Sequence, residues 1–110
     1  MSEIERNLAA LGAMADAPAI LRDAGVLAEK SHDWWVRGRL VRRLSAETGQ
    51  ATAVVRPANT RQVASTLAWA RRTKTPIVPF GLGSGVCGAI QAERGQVVLD
   101  MSGMSAIVCL

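Results

Sequence analysis

Four glycines occur within the eight residues 81–88 (GLGSGVCG), between two runs of apolar residues. Because glycine has no Cβ, such a loop can adopt positive φ angles and lets a ligand approach the main chain closely. Successive backbone N–H groups can then turn inward and bind an anion. The flanking runs, PIVPF (76–80) and VVL (97–99), predict a strand on each side. The loop is therefore expected to hold a phosphate or pyrophosphate between two strands.

The segment before this loop predicts a strand, a helix and a second strand. Ala53–Arg56 is a short β-branched run that Pro57 stops, and Asn59 or Thr60 can cap the helix that follows. Pro76 ends that helix. The face of the helix expected to be buried consists of Val63, Ala64, Leu67, Ala68 and Ala70. A strand–helix–strand unit makes its strands parallel, and parallel sheets bind ligands at the carboxyl ends of their strands.

The first half of the chain has weaker signals. A Ser-x-x-Glu capping box followed by apolar residues at helical spacing predicts a helix over residues 2–12. Asp16 as the cap, Pro18 in the first turn and Gly25 as the stop predict a second short helix. Residues 26–50 lack periodicity and are expected to form a connecting segment over the surface.

Composition limits the classes of protein to be considered. With 110 residues, of which 49% are apolar and 20% charged, the chain resembles one globular domain. Two cysteines and one histidine cannot form an ordinary zinc site. The sequence has no recognisable export signal or membrane span, so a cytoplasmic location is expected. The net charge of +4 permits an anionic partner, either nucleic acid or a phosphate-bearing ligand.

Two familiar phosphate-binding motifs do not fit the loop. No Lys-Ser or Lys-Thr pair follows the glycines, which argues against a nucleoside triphosphate hydrolase. Gly83, Gly85 and Gly88 match the GxGxxG pattern of dinucleotide-binding folds, and Asp100 could serve as the ribose-binding acid. However, residues 89–96 are too few for the helix that this fold requires after its glycines. The remaining interpretation is a loop that binds pyrophosphate with main-chain groups and runs directly into another strand.

This order of elements, with the closing run VVLDMSGMSAI (97–107), resembles the first half of the FAD-binding domain of FAD-linked oxidases. These oxidases form the vanillyl-alcohol oxidase and p-cresol methylhydroxylase superfamily. Within it, the sequence is most similar to the glycolate oxidase flavin subunit and to D-lactate dehydrogenases. The resemblance covers residues 53–110, and KSHDWW (30–35) is similar to a short YSxD segment that these enzymes carry before the domain.

The resemblance implies an α+β fold in which N-terminal helices precede the first subdomain of a FAD-binding domain of the p-cresol methylhydroxylase (PCMH) type. That subdomain is a βαβ unit plus a further strand, in a small and mostly parallel sheet. Residues 1–50 would form an N-terminal helical and extended segment. Residues 51–110 would form the first half of the domain, truncated at its C-terminus. The continuous apolar strands also indicate a sheet that is covered on both faces.

The family loop has the form Arg-Gly-Gly-Gly-Thr-Ser-x-x-Gly, and the resemblance implies that the corresponding residues here bind FAD. They are Pro79, Phe80, Gly81, Leu82, Gly83, Ser84, Gly85 and Gly88. Phe80 replaces the family arginine, Leu82 a glycine and Gly85 the serine. Some family members bind flavin covalently through a histidine at the position of Ser84, so serine here implies noncovalent FAD. No catalytic or metal-binding residue is assigned.

The implied function is FAD binding within an oxidoreductase that converts a 2-hydroxy acid of the glycolate or D-lactate type to a 2-oxo acid. Residues for that chemistry would lie beyond Leu110, so the chain alone is expected to be inactive, and further subunits could join it. The alternative is a non-enzymatic module that binds an anion or nucleic acid. The high pI favours this alternative, and so does the basic stretch that contains Trp34 and Trp35, whose rings could stack on bases. Flavin binding is preferred to nucleic-acid binding as the interpretation of this sequence.

Several conspicuous residues are expected to have structural roles only. Cys87 is interpreted as a small loop residue and Cys109 as a core strand residue. His32 is expected at the surface or in a hydrogen bond, and Asp100 is expected to stabilise the turn after its strand. The tryptophans at 34–35 are interpreted as packing residues beside a solvated basic face.

Overall fold

The computed structural model describes residues 1–44 and 49–110 and has the predicted α+β architecture. Its elements are α1 (Glu3–Gly12), β1 (Ala19–Leu21), α2 (Ala24–Lys30), α3 (Val36–Leu44), β2 (Ala53–Arg56), α4 (Thr60–Thr73), β3 (Ile77–Phe80) and β4 (Val97–Asp100). A short 3₁₀ turn, Met101–Gly103, follows β4. Among the described residues, no helix has the length and apolarity needed to cross a membrane.

The four strands form one sheet in the order β1-β2-β4-β3. Strands β2, β4 and β3 are parallel, with Val54 opposite Val98, whereas β1 joins antiparallel, with Ile20 opposite Val55. The predicted small, mostly parallel sheet is therefore confirmed. The connection from β3 to β4, residues 81–96, contains no helix, which agrees with the rejection of a dinucleotide-binding fold.

Both faces of the sheet are buried, as the continuous apolar strands predict. The core on one face is built with α1 and α4 and contains Leu8, Leu11, Ala53, Val55, Trp69, Ala70, Val97 and Leu99. The core on the other face contains Ala51, Val54, Phe80, Ala92 and Val98. This second core is covered by Val26 and Leu27 of α2 and by Ile90 from the connection after β3. The connection after β3 thus contributes to the core as well as to the surface.

The N-terminal region is only partly as predicted. Ser2 and Glu5 form the expected capping box of α1. The second helix predicted between Asp16 and Gly25 is wrong, because Ala19–Leu21 forms β1 instead. An apolar pair in so short a run fits a helix and a strand equally well. The neighbouring edge of β2 decides the outcome here, because it supplies partners for the backbone groups of β1.

Residues 26–50 are not the irregular connection that the missing periodicity indicated. They include most of α2, whose cap Asp23 accepts the Gly25 N–H at 2.9 Å, and all of α3. Gly25 therefore lies in the first turn of a helix and does not end one. Val36, Leu40 and Leu44 of α3 stand at helical spacing, but all three side chains are exposed. Residues 45–48 of the predicted connection lie outside the described residues.

Helix α4 begins as predicted, because Asn59 accepts the Gln62 N–H at 2.9 Å. Its buried residues are Gln62, Thr66, Trp69 and Ala70. Three members of the predicted buried face, Ala64, Leu67 and Ala68, are exposed. Trp69 is only 1% exposed and its indole N–H donates to the Asn7 carbonyl of α1 at 2.8 Å. Helix α4 is rotated so that Trp69, its largest side chain, faces the core, because burial of this side chain removes the most apolar area from water.

Candidate functional site

The glycine-rich loop leaves β3 at the carboxyl edge of the parallel strands, as predicted. Gly83 has a φ of +67°, and a Cβ there would come within 2.3 Å of Cζ of Phe80, the last residue of β3. Gly88 has a φ of +78°, and a Cβ there would come within 2.7 Å of the Trp35 ring. At both positions the main chain crosses an aromatic ring so closely that a side chain would not fit. The Leu82 side chain, in contrast, is 90% exposed.

The first part of the loop carries main-chain donors that no protein group uses. Within residues 1–44 and 49–110, the N–H groups of residues 81–87 donate to no protein acceptor. No side chain from 81 to 88 carries a charge. Consecutive N–H groups at the carboxyl edge of parallel strands suit the binding of a phosphate or pyrophosphate.

The second part of the loop is held by a buried carboxylate that sequence reasoning did not identify. Asp33 is 3% exposed and accepts the N–H groups of Trp35 at 3.0 Å and Ile90 at 3.4 Å. Burial by itself raises the pKa of Asp33, but hydrogen bonds from the N–H groups of Trp35, Ile90, Gly88 and Ala89 lower it below the ordinary value. Asp33 thus acts as an internal anion for the second part of the loop, where Ile90 donates to it.

The segment around Asp33 supports the loop along its length. The Asp33 N–H donates to the Ile90 carbonyl at 3.1 Å, and the Trp34 N–H donates to the Gly85 carbonyl at 2.9 Å. Nearer to β4, the Ala92 N–H donates to the Ser31 carbonyl at 2.7 Å. KSHDWW (30–35) is therefore the floor on which the loop rests. The signal that could have indicated this was the similarity of these residues to the YSxD segment.

Asp100, at the end of β4, organises the neighbouring edge of the sheet. It accepts the Ser102 N–H at 3.0 Å, which confirms its predicted role in the turn, and pairs with Arg56 Nε at 2.8 Å. Lys30 lies 3.9 Å away. Burial alone raises the pKa of Asp100, but the Ser102 hydrogen bonds, Arg56 and Lys30 lower it below its usual value.

A cavity of about 170 Å³ opens beside the loop. Gly83 and Leu82 line one side of it, and Lys30 and Trp34 line another. A larger hollow of about 980 Å³ lies at the amino ends of β2 and β4, near Thr52 and the residues before them. The smaller cavity is the relevant one, because parallel sheets bind ligands at the carboxyl ends of their strands.

The other conspicuous residues have mixed outcomes. His32 hydrogen-bonds to Arg42 at 2.9 Å, as expected, and its pKa is lowered by burial and then by the nearby arginines. Cys87 is exposed in the loop. The interpretation of Cys109 as a core residue is wrong, because residues 104–110 form no strand and the thiol is exposed. The Trp34 side chain is 57% exposed, so of the tryptophans at 34–35 only the second packs beneath the loop.

Comparison with known families decides what kind of domain carries this loop. Residues 51–110 match the family described as FAD binding domain. The chain belongs to this family of FAD-binding domains. FAD is therefore its cofactor, and the uncharged loop with its unused N–H groups fits the pyrophosphate of that cofactor.

Solved structures show the same fold. An alkyldihydroxyacetonephosphate synthase is 22% identical with a TM-score of 0.79, over 100% of this chain and 21% of that chain. p-Cresol methylhydroxylase is 21% identical with a TM-score of 0.70, over 97% of this chain and 20% of that one. Physcomitrella patens BBE-like 1 is 19% identical with a TM-score of 0.56, over 94% of this chain and 20% of that one. The chain therefore spans about a fifth of the length of these proteins. The PCMH-type fold is confirmed.

Proposed function

We propose that residues 79–88 bind the pyrophosphate of FAD noncovalently, with the N–H groups of residues 81–87 as the main donors. The observation that carries this proposal is the run of N–H groups without a protein acceptor among the described residues. Ser84 adds a hydroxyl group but no ring nitrogen for a covalent link to flavin. Gly88 shapes the loop, because its N–H faces Asp33.

Titration of the chain with FAD, followed by quenching of flavin fluorescence, tests this site. We expect saturable binding, and all of the flavin should appear in the supernatant after acid precipitation. Flavin that stays with the precipitated chain would contradict noncovalent attachment. A chain that takes up no FAD but retains RNA would instead support the nucleic-acid alternative, which the family match does not favour.

We further propose that the site serves an oxidoreductase that converts a 2-hydroxy acid of the glycolate or D-lactate type to a 2-oxo acid. When bound, FAD supplies a two-electron acceptor for such a substrate. Residues 51–110 would be the first half of the flavin domain and residues 1–50 the segment that supports it. This chain binds and orients the cofactor, and substrate-binding residues would lie in other parts of the protein. The resemblance of the sequence to the glycolate oxidase flavin subunit and to D-lactate dehydrogenases supports the substrate class.

Anaerobic addition of glycolate or D-lactate to the FAD-loaded chain tests this division of labour. We expect the visible absorption of oxidised flavin to persist in this chain alone. It should disappear in a longer polypeptide that also contains a substrate-binding domain. Loss of absorption in the 110-residue chain would overturn the assignment of substrate binding to other segments. Reduction by other alcohols but by neither acid would overturn the substrate class.

A further inference from the structure

The side chain of Lys30, the last residue of α2, lines the cavity beside the loop. It is only 15% exposed, and its ammonium group lies 4.6 Å from the centre of the Phe80 ring. The ammonium approaches carboxylate oxygens of Asp100 and Glu29 at 3.9 Å each, which is too far for a hydrogen bond. Lys30 is therefore a largely buried cation whose three N–H donors are not used by these two acids.

The Asp100 carboxylate does not depend on Lys30 for partners. Arg56 Nε donates to it at 2.8 Å, and the N–H and hydroxyl groups of Ser102 each donate at 3.0 Å. These contacts already supply an opposite charge and hydrogen bonds to both carboxylate oxygens. The looser approach of Lys30 leaves its ammonium free to bind another anion at this edge of the sheet.

The other charged groups around the cavity are already engaged or face outward. The Arg39 guanidinium stacks on the Trp34 ring at 4.1 Å. The Asp33 carboxylate accepts hydrogen bonds from the second part of the loop. The Glu29 side chain is 73% exposed. The loop contributes no charge of its own, and Lys30 is the less exposed of the two cations, Lys30 and Arg39, that line the cavity beside it.

We propose that Lys30 contacts the pyrophosphate of FAD and supplies the positive charge that the glycine loop lacks. This inference rests on the proposed binding of the pyrophosphate by residues 81–87. The Lys30 ammonium lies over the Phe80 ring, and both residues line the same cavity as Gly83. A charge-assisted hydrogen bond to phosphate is shorter and roughly twice as strong as a neutral one, so one lysine has a measurable effect on affinity.

The test compares Lys30→Met and Lys30→Arg with Lys74→Met by isothermal titration with FAD and with ADP. Lys74 is the matched control because it is the only other lysine and caps the far end of α4. For Lys30→Met we expect the affinity for both ligands to fall by ~10-fold or more, as for loss of a hydrogen bond to a charged group. Lys30→Arg should keep most of the affinity, and Lys74→Met should not differ from the wild type.

The outcomes distinguish this inference from the proposed function. If the wild type binds FAD and Lys30→Met binds it equally well, the inference is wrong and the loop proposal stands. If the wild type binds no FAD, both are wrong. A Lys30→Met variant that loses affinity for FAD but not for ADP would show that Lys30 acts on the flavin and not on the pyrophosphate. An arginine variant as weak as the methionine variant would show that charge is not the cause.

Discussion

Asp33 shows how much a single buried carboxylate can contribute to a binding loop. Its oxygens accept the N–H groups of Trp35 and Ile90, whereas the N–H groups of residues 81–87 donate to no protein acceptor among the described residues. A neutral side chain at this position would accept fewer of these bonds. At the scale of single residues, the shape of the loop therefore depends on an acid 57 positions away from Ile90.

Asp33→Asn should destabilise the chain and change its response to acid. Because the folded-state pKa of Asp33 is lowered, its carboxylate stabilises the fold above the ordinary value of 3.8, and this stabilisation is lost as the pH falls through the lower folded value. We expect the variant to lose ~1–3 kcal/mol at neutral pH and to respond less to acid below that value. Urea unfolding across pH measures both effects.

Glu93→Gln, a change at an exposed carboxylate, serves as the control for Asp33→Asn and should leave stability nearly unchanged. Asp100 also has a lowered pKa, so some acid sensitivity should persist in the Asp33 variant. A variant as stable as the wild type at neutral pH would show that the carboxylate does not organise the loop.

Gly83→Ala should destabilise the loop, whereas Gly81→Ala should not. An alanine at 83 would have to adopt a φ of +67° with its Cβ in the Phe80 ring, but a Cβ at 81 would meet no atom within 4 Å. The positive φ alone costs about 1–2 kcal/mol. We expect a lower thermal unfolding temperature for the first variant only. Equal behaviour of the two variants would be evidence against the close crossing of loop and ring.

Helix α4 shows that the length of an element can be read locally while its rotation cannot. Its cap and its end agree with the prediction, but the face that packs on the sheet is centred on Trp69 and not on Leu67. The Trp69 ring reaches α1 and donates to a carbonyl there. The buried face is thus set by a contact between two helices that are distant in sequence.

Trp69→Ala and Leu67→Ala should therefore differ strongly in stability. Truncation of the buried indole leaves a cavity, so we expect a loss of about 3–5 kcal/mol. Leu67 is 47% exposed, and its truncation should cost less than ~1 kcal/mol. Urea denaturation of both variants measures the difference. A larger loss of stability for Leu67→Ala would instead support the orientation of α4 that periodicity predicts, with Leu67 buried.

At the scale of the whole molecule, a rigid sheet carries the loop at one edge. Some main-chain N–H groups of the loop donate to the protein, and others are left for a ligand. Strands β2 and β4 are buried on both faces and fix the positions of the residues that follow β2, β3 and β4. The floor segment 30–35 then pairs with the far part of the loop. Among residues 1–44 and 49–110, the first part of the loop, residues 81–87, is therefore expected to become more ordered when FAD binds.

Hydrogen exchange should show this division directly. In the free chain, we expect the amides of residues 81–87 to exchange quickly and the amide of Ile90 to exchange slowly, because among the described residues only the latter has a protein acceptor. FAD should slow exchange at residues 81–87 and leave the turn at residues 15–16 unchanged. Protection by FAD that is confined to residues 88–90 would contradict the assignment of donors.

The sequence by itself was sufficient for the elements whose signals are local. The capping box of α1, the strands at β2 and β4, the cap of α4 and the position of the glycine loop were all predicted, because each depends on neighbours within a few residues. The loop also carried the resemblance that leads to FAD. The role of Ser84 and the hydroxy acid substrate stay predictions.

Only the tertiary structure decided the rest. Ala19–Leu21 is a strand because the edge of β2 lies beside it, and α4 turns Trp69 inward because α1 covers it. Asp33 and Lys30 lie at the loop because the chain folds α2 and the floor segment against the sheet edge. These features depend on contacts between residues that are far apart in the chain. A local pattern of side chains carries no information about the energies of such contacts.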